Sequence, residues 1–261
     1  MTNYIFENQS EEREFQRLKL LEAANDPTTI ALLEEMKIES GWKCLELGAG
    51  AGSILRWLGQ RVGPSGLAVG IDKSTNYLQD FTSAPFQIHQ GAFPEMDVTQ
   101  IFDFIHGRYI LIHNQHDADI LRKMFSILKP GGWALFEEPD FTSATLLDRD
   151  TENSQARVNR AMCQMFVNAG LDPAYALSLP QKLERTGFRV ERAHSMMHLC
   201  PGNSPMARVI GESAVVLEQK YCETGLCSPE DVQQYVRLSQ DAKHWTVFHS
   251  TTSVIVSKAS R

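Results

Sequence analysis

Basic residues are in short supply in this 261-residue sequence: 25 Lys and Arg stand against 32 Asp and Glu, a formal net charge of −7. A nucleic-acid partner is disfavoured, because neutralising phosphates requires a basic surface. Long apolar runs are missing too, and nothing approaches the roughly 20 residues of a membrane span. The N-terminus, with Glu11, Glu12 and Glu14 close behind it, lacks the basic-then-apolar layout of a secretion signal. A cytoplasmic protein without a membrane partner is expected. The five cysteines (Cys44, Cys163, Cys200, Cys222 and Cys227) are scattered and odd in number, which reads as reduced thiols. Cys222 and Cys227 lack a second pair and zinc-ribbon spacing, so no metal is expected. Repeats, low-complexity tracts and flexible linkers are absent, and the length suits one large domain or one domain with a lid.

What is present centres on Cys44-Leu45-Glu46-Leu47-Gly48-Ala49-Gly50-Ala51-Gly52. Residues 43–47 read as a short buried strand. Glycines at alternate positions let the backbone turn sharply and approach a ligand where a Cβ would intrude. A helix over about 53–62 carries Ile54, Leu55, Leu58 and Val62 at helical spacing, its N-terminus directed at whatever lies over the glycines. Twenty residues beyond Gly52, the apolar run 67–71 ends in Asp72, placed where nucleotide-binding α/β sheets hold a ribose diol. A dinucleotide fingerprint would read G-x-G-x-x-G. Here the spacing is G-x-G-x-G, and Glu46 precedes it by two residues, an acid that would repel a pyrophosphate and suit a cationic amino group.

This stretch resembles motif I of the class I S-adenosylmethionine-dependent methyltransferases, E/D-x-G-x-G-x-G, and Asp72 resembles that family's ribose-binding acid. The resemblance implies an α/β fold, a doubly wound and mostly parallel seven-stranded sheet, with S-adenosyl-L-methionine as cofactor and a small-molecule acceptor. Gly48, Ala49, Gly50 and Gly52 would admit its methionine portion, and Glu46 would meet its ammonium group directly or through water. Lys73 could lay its stem along the adenine or face solvent. In the family an acid often stands at the position of Ala92; its absence leaves adenine to backbone amides and to stacking on Phe93. Arg108 could hold the cofactor carboxylate, or pair with Asp103 or Glu137. The Pro-Pro-aromatic signature of enzymes that methylate nucleic-acid amino groups is missing after the fourth strand, 102–106. The loop there resembles that of small-molecule methyltransferases, with Arg108 and then His113. The Lys129-Pro130-Gly131-Gly132 turn before an apolar strand is a further likeness.

A hydroxyl or amine acceptor needs a proton removed, and histidine titrates in the useful range. His113 is the first candidate base, although it could merely pack or hydrogen-bond its loop; Glu138 and Asp140 are alternative bases, behind a capping or surface reading for each. Asp117 is expected to cap a helix, with His116 and Asp119 in solvent. Tyr109, Phe141, Met162, Met165 and Phe166 could shape an apolar acceptor pocket or belong to the core. Residues 1–38 should form a helical lid of two helices, the first capped by Ser10 and the second opened by Asp26-Pro27, with Tyr4 closing on the cofactor. Residues 39–261 should form the methyltransferase domain, with helical insertions at about 142–187 and 200–243. A short helix from Ser74 to Leu78 is expected as well. A homo-oligomer is compatible with the sequence. Rival readings are a nicotinamide-dependent oxidoreductase, an enzyme that binds S-adenosylmethionine without transferring its methyl group, and a protein or RNA methyltransferase.

Overall fold

A computed structural model describes residues 10–147, 150 and 152–260; Tyr4 lies outside them. Strands alternate their side chains between two faces, and the central strands here are apolar on both. In β1 (Lys43–Leu47) Cys44 joins the core on one side while Leu45 and Leu47 join the core on the other. β4 (Phe102–Arg108) splits Phe104 from Ile105 in the same way, and β5 (Leu128–Asp140) splits Leu135 from Phe136. Such strands must be covered on both faces, which calls for parallel pairing through helical crossovers.

With β2 (Leu67–Asp72), β3 (Phe86–Gln90), β6 (Arg189–Pro201) and β7 (Trp245–Ser257), they form one seven-stranded sheet in the order β3-β2-β1-β4-β5-β7-β6. The first five strands pair in parallel, and β7 runs antiparallel between β5 and β6. The expected Lys-Pro-Gly-Gly turn is a bulge inside β5: Leu128 lies opposite Phe102 and Trp133 opposite Phe104, so residues 129–132 stand out of the ladder.

Around the sheet lie α2 (Ser53–Val62), α3 (Asp117–Ile127), α4 (Ser154–Asn168), α5 (Tyr175–Thr186), α6 (Pro205–Cys222) and α7 (Pro229–Gln240). Among the described residues no helix is long and apolar enough to cross a membrane. No helix forms after Ser74, where the chain runs through turns instead.

The N-terminal segment corrects the two-helix expectation. α1 (Glu11–Glu35) is one helix of 25 residues, capped by Ser10 and continuous through Pro27. A proline costs an internal helix a hydrogen bond, but the flanking residues are fixed by tertiary contacts. Asp26 does not cap; it accepts from Arg108 Nη2 at 2.8 Å. Thr29 donates to Glu137 Oε2 at 2.6 Å and accepts from Arg108 Nη1 at 2.9 Å.

Beneath α1 lies a row of ionisable side chains on adjacent strands. His106 Nδ1 meets Glu46 Oε2 at 2.7 Å, and Nε2 meets Glu137 Oε2 at 3.2 Å. All three are buried. Burial alone would push His106 toward neutrality; the two carboxylates outweigh it and lift its pKa to about 9, making it an imidazolium at neutral pH. A histidine whose folded pKa lies above its ordinary 6.5 contributes stability that is whole below that value and is lost as the pH climbs through about 9. Thermal midpoints should therefore fall between pH 6.5 and 9 more steeply in the wild type than in His106→Gln. Equal slopes would remove His106 as the titrating group.

Candidate functional site

The turn after β1 is built from backbone constraints. Gly48 has φ +71°, and a Cβ there would sit 1.9 Å from Ile110 Cδ1. Gly52 has φ +88°, and a Cβ would strike the Phe81 ring at 2.7 Å. These two glycines make room for protein side chains, whereas a Cβ on Gly50, at φ +55°, would meet only ordinary contacts, Leu18 at 3.6 Å and the Gly48 carbonyl at 4.0 Å. The amide of Gly50 donates to Asp72 Oδ2 at 2.8 Å, and that of Ser74 to Asp72 Oδ1 at 3.0 Å. The carboxylate at the tip of β2 is thus fixed beside the glycine turn, with lone pairs to spare. Burial raises its pKa even though these amides favour the charged form.

A cavity of about 490 Å³ opens over this turn. Gly48, Gly50, Asp72, Lys73, Ala92, Phe93, Arg108 and His113 all line it, whereas Glu46, Ala49 and Gly52 are not among its wall residues. Glu46, expected to reach a ligand's ammonium group, instead holds His106. Arg108 faces the cavity while bound to Asp26 and Thr29; of the alternative partners, Asp103 is taken by Lys129 at 2.7 Å. Phe93 is buried, with Lys123 Nζ 4.8 Å above its ring. α1 contributes Glu14, Arg17, Leu18 and Leu21 to the wall. Glu22 of the same helix accepts from the Ser53 amide at 3.0 Å, so a carboxylate already occupies the N-terminus of α2.

The loop after β4 is anchored by Glu138. Its Oε1 accepts from the amides of Ile110 and Leu111 at 2.9 and 2.8 Å, and Oε2 from that of Ile112 at 3.1 Å. Glu138 is fully buried, and burial outweighs the three amides to raise its pKa to about 7. This carboxylate positions the turn that carries His113. His113 packs against Phe166 with ring centroids 6.2 Å apart, and burial, aided by Arg17 and Lys73, pushes its pKa down to about 4. Asp140 holds the Thr142 amide at 2.9 Å. Asp117 does not cap α3: it accepts from Lys182 Nζ at 2.6 Å and Tyr175 OH at 2.7 Å, tying α3 to α5. His116 occupies the cap position without a side-chain bond, and Asp119 pairs with Arg122.

Of the expected pocket residues, Tyr109, Phe141, Met162 and Phe166 line the cavity, while Met165 belongs to the core. Sequence reasoning missed His249 on β7 and the α6 face bearing Val209, Ile210, Ser213, Leu217 and Tyr221. The run His249-Ser250-Thr251-Thr252-Ser253, polar yet inside a strand between apolar residues, was the available signal for the former. Spacing alone does not tell which helix face meets a cavity.

A seven-stranded sheet in this order, with one antiparallel strand and an acid beside a glycine turn at its carboxyl edge, defines the class I methyltransferase architecture. The chain belongs to the family described as a methyltransferase domain, whose model matches residues 12–193. It is 28% identical over 131 residues to an uncharacterized 37.1 kDa protein in transposon TN4556 of Streptomyces fradiae. That match covers 48% of this chain and only 38% of the relative's length.

Among solved structures, Haemonchus contortus phosphoethanolamine N-methyltransferase 2, in complex with phosphomonomethylethanolamine and S-adenosylhomocysteine, superposes with a TM-score of 0.57 at 16% identity, covering 89% of this chain and 52% of that one. The cyclopropane synthase MmaA2 of Mycobacterium tuberculosis gives 0.54 at 19%, covering 85% and 79%. The [4+2]-cyclase SpnF gives 0.53 at 14%, covering 86% and 77%. At such identities the likeness is one of fold.

Glu138→Ala would orphan the buried amides of Leu111 and Ile112, each costing about 1–3 kcal/mol, and the half-buried amide of Ile110. Chemical denaturation should show a loss of roughly 2 kcal/mol or more. A loss below about 1 kcal/mol would mean that the loop does not depend on this anchor.

Proposed function

We propose that this chain transfers the methyl group of S-adenosylmethionine to a small-molecule acceptor. The observation that carries the reading is the Asp72 carboxylate, fixed on the Gly50 amide in the wall of a cavity of small-ligand size, in a chain of the methyltransferase-domain family. The residues present fit the cofactor. Asp72 offers lone pairs to a ribose diol, Gly48 and Gly50 line the cavity without side chains, and Ile71, Tyr77, Ala92 and Phe93 give apolar wall for a base. Arg108 retains donors beyond the two used by Asp26 and Thr29 and can add one to a carboxylate. A nicotinamide dinucleotide fits poorly, because Glu22 places negative charge at the helix N-terminus that would hold a pyrophosphate.

Bound there, the cofactor supplies a methyl group already activated by its sulfonium charge. The chain's task is to position two reactants and exclude water. α1 lines one side of the cavity and α6 another. Glu46 acts at one remove, by fixing His106 beneath α1. His113 is the candidate base: a neutral imidazole in the wall, on a turn that Glu138 holds rigid.

Calorimetry should give micromolar binding of S-adenosylhomocysteine and none of NAD, and Asp72→Ala should weaken the former at least tenfold. Unchanged affinity in Asp72→Ala would sink the ribose role. With an acceptor in hand, His113→Ala should lower kcat at least tenfold while cofactor affinity stays within about twofold. Equal loss of both would make His113 a positional residue, and cofactor binding without methyl release from any acceptor would favour an enzyme that does not transfer it.

A further inference from the structure

The cavity divides sharply by charge. Its ionised side chains, Glu14, Arg17, Asp72, Lys73, Glu95 and Arg108, come from α1, from the tips of β2 and β4, and from the segment after β3. The wall residues supplied by the segment after β5 and by α4, α6 and β7 include Phe141, Met162, Phe166, Ile210, Leu217 and Tyr221, with no Asp, Glu, Lys or Arg among them. Phe141 stacks on Phe166, and His113 on the same ring, with interplanar angles of 27° and 28°. A group packed against these side chains meets rings and aliphatic chains and finds no counter-charge among them, and a buried unpaired charge is strongly disfavoured. The end suits a flat, uncharged, apolar molecule.

His249 Nδ1, on this side of the cavity, has no hydrogen-bond partner among the described residues. Asn25 Nδ2 donates to Leu21 O at 2.9 Å, so its Oδ1 faces Tyr109 OH at 3.0 Å and must accept the single phenolic proton. The Tyr109 oxygen is then an acceptor toward its two other neighbours, Thr251 Oγ1 at 2.5 Å and His249 Nε2 at 2.9 Å. His249 therefore carries its proton on Nε2, and its Nδ1 is a bare lone pair. Among the described residues that Nδ1 has no hydrogen-bond partner, although His249 is only 2% exposed. Its ring lines the cavity and packs against Phe141 at 5.4 Å. Burial lowers its pKa to about 3, so the imidazole is neutral. A buried acceptor without a donor costs free energy that a ligand's donor can recover.

We propose that His249 Nδ1 receives a hydroxyl of the methyl acceptor, and that this acceptor is an uncharged, ring-bearing, largely apolar molecule. The inference deepens the methyl-transfer reading and rests on it only in assigning the glycine end to the cofactor. Tyr109 is the positioning residue that fixes the tautomer.

The test titrates the protein, with and without saturating S-adenosylhomocysteine, with 2-naphthol, its methyl ether 2-methoxynaphthalene, and naphthylmethylammonium. In the wild type 2-naphthol should bind at least tenfold more tightly than either of the others, and the histidine ¹⁵N spectrum should show one neutral Nδ1 resonance moving on its addition. His249→Phe should bring naphthol and ether within about twofold and abolish that resonance. Tyr109→Phe, which leaves the imidazole in place, should narrow the gap as well, and so keeps the proposal open to refutation if the Phe variant does not fold. Equal affinity for naphthol and ether in the wild type, preference for the ammonium, or no binding of any of the three would overturn it. Absence of S-adenosylhomocysteine binding with the naphthol preference intact would instead strike the cofactor reading alone.

Discussion

The architecture of the site depends on a charge that ordinary burial would forbid. His106 lies wholly inside the protein as an imidazolium because Glu46 and Glu137, on the strands to either side, each hold one ring nitrogen. Strand order makes this possible: β1, β4 and β5 are consecutive neighbours, and their register sets Glu46 directly opposite His106. Buried ion pairs often contribute little net stability, yet removing one member leaves its partner uncompensated and costs several kcal/mol. The row is therefore costly to break, whatever its net contribution. Ser253 extends it onto β7 by donating to Glu137 Oε1 at 2.9 Å, and Thr29 extends it upward into α1.

That upward contact explains why α1 is one helix lying over the sheet. It buries Arg17, Glu22, Asn25 and Thr29 as well as Leu32 and Leu33, so its inner face is largely polar and is read by matching polar groups below. Glu22 finds the Ser53 amide, Asn25 the Tyr109 hydroxyl, and Asp26 the Arg108 guanidinium. Each contact joins the helix to a residue at the carboxyl edge of the sheet. Tyr109 itself has φ +58°, a left-handed conformation that is uncommon for a residue with a bulky side chain. Three hydroxyl contacts and its amide bond to Glu137 O at 2.8 Å hold it there. The resulting turn delivers Ile110 against Gly48 and His113 to the cavity.

The sheet was legible because its signals are local. Apolar runs of strand length, glycine punctuation and Asp72 at a fixed distance from the glycines need no knowledge of what lies across the fold. Gly48 and Gly52 show the limit of such reading: a positive φ was foreseeable at that turn, but their missing Cβ atoms admit Ile110 and Phe81, residues far along the chain. Asp26-Pro27 carries a sound helix-start signal, and tertiary contacts of Asp26 and Thr29 overrode it. Sequence leaves Glu46 as a ligand contact and Glu138 as a base, a cap or a surface acid, because a carboxylate in sequence does not disclose its buried partner. For Glu46 that partner is 60 residues away, and for Glu138 it is a row of three amides.

The two ends of the cavity also come from different parts of the chain. The charged residues of the wall run from Glu14 to Arg108, inside the stretch that matches the family model. Much of the neutral end, Val209 to Tyr221 on α6 and His249 on β7, lies beyond residue 193, where that match stops. A shared cofactor requires a shared half-site, whereas an acceptor peculiar to one member requires walls free to vary. The antiparallel β7 reconciles the two demands. It runs between β5 and β6, with Ser253 tied into the buried row and His249 four residues earlier at the cavity. Change on the α6 wall can therefore proceed with little strain, while any change at His249 is felt through Tyr109 by α1 and by the turn that carries His113.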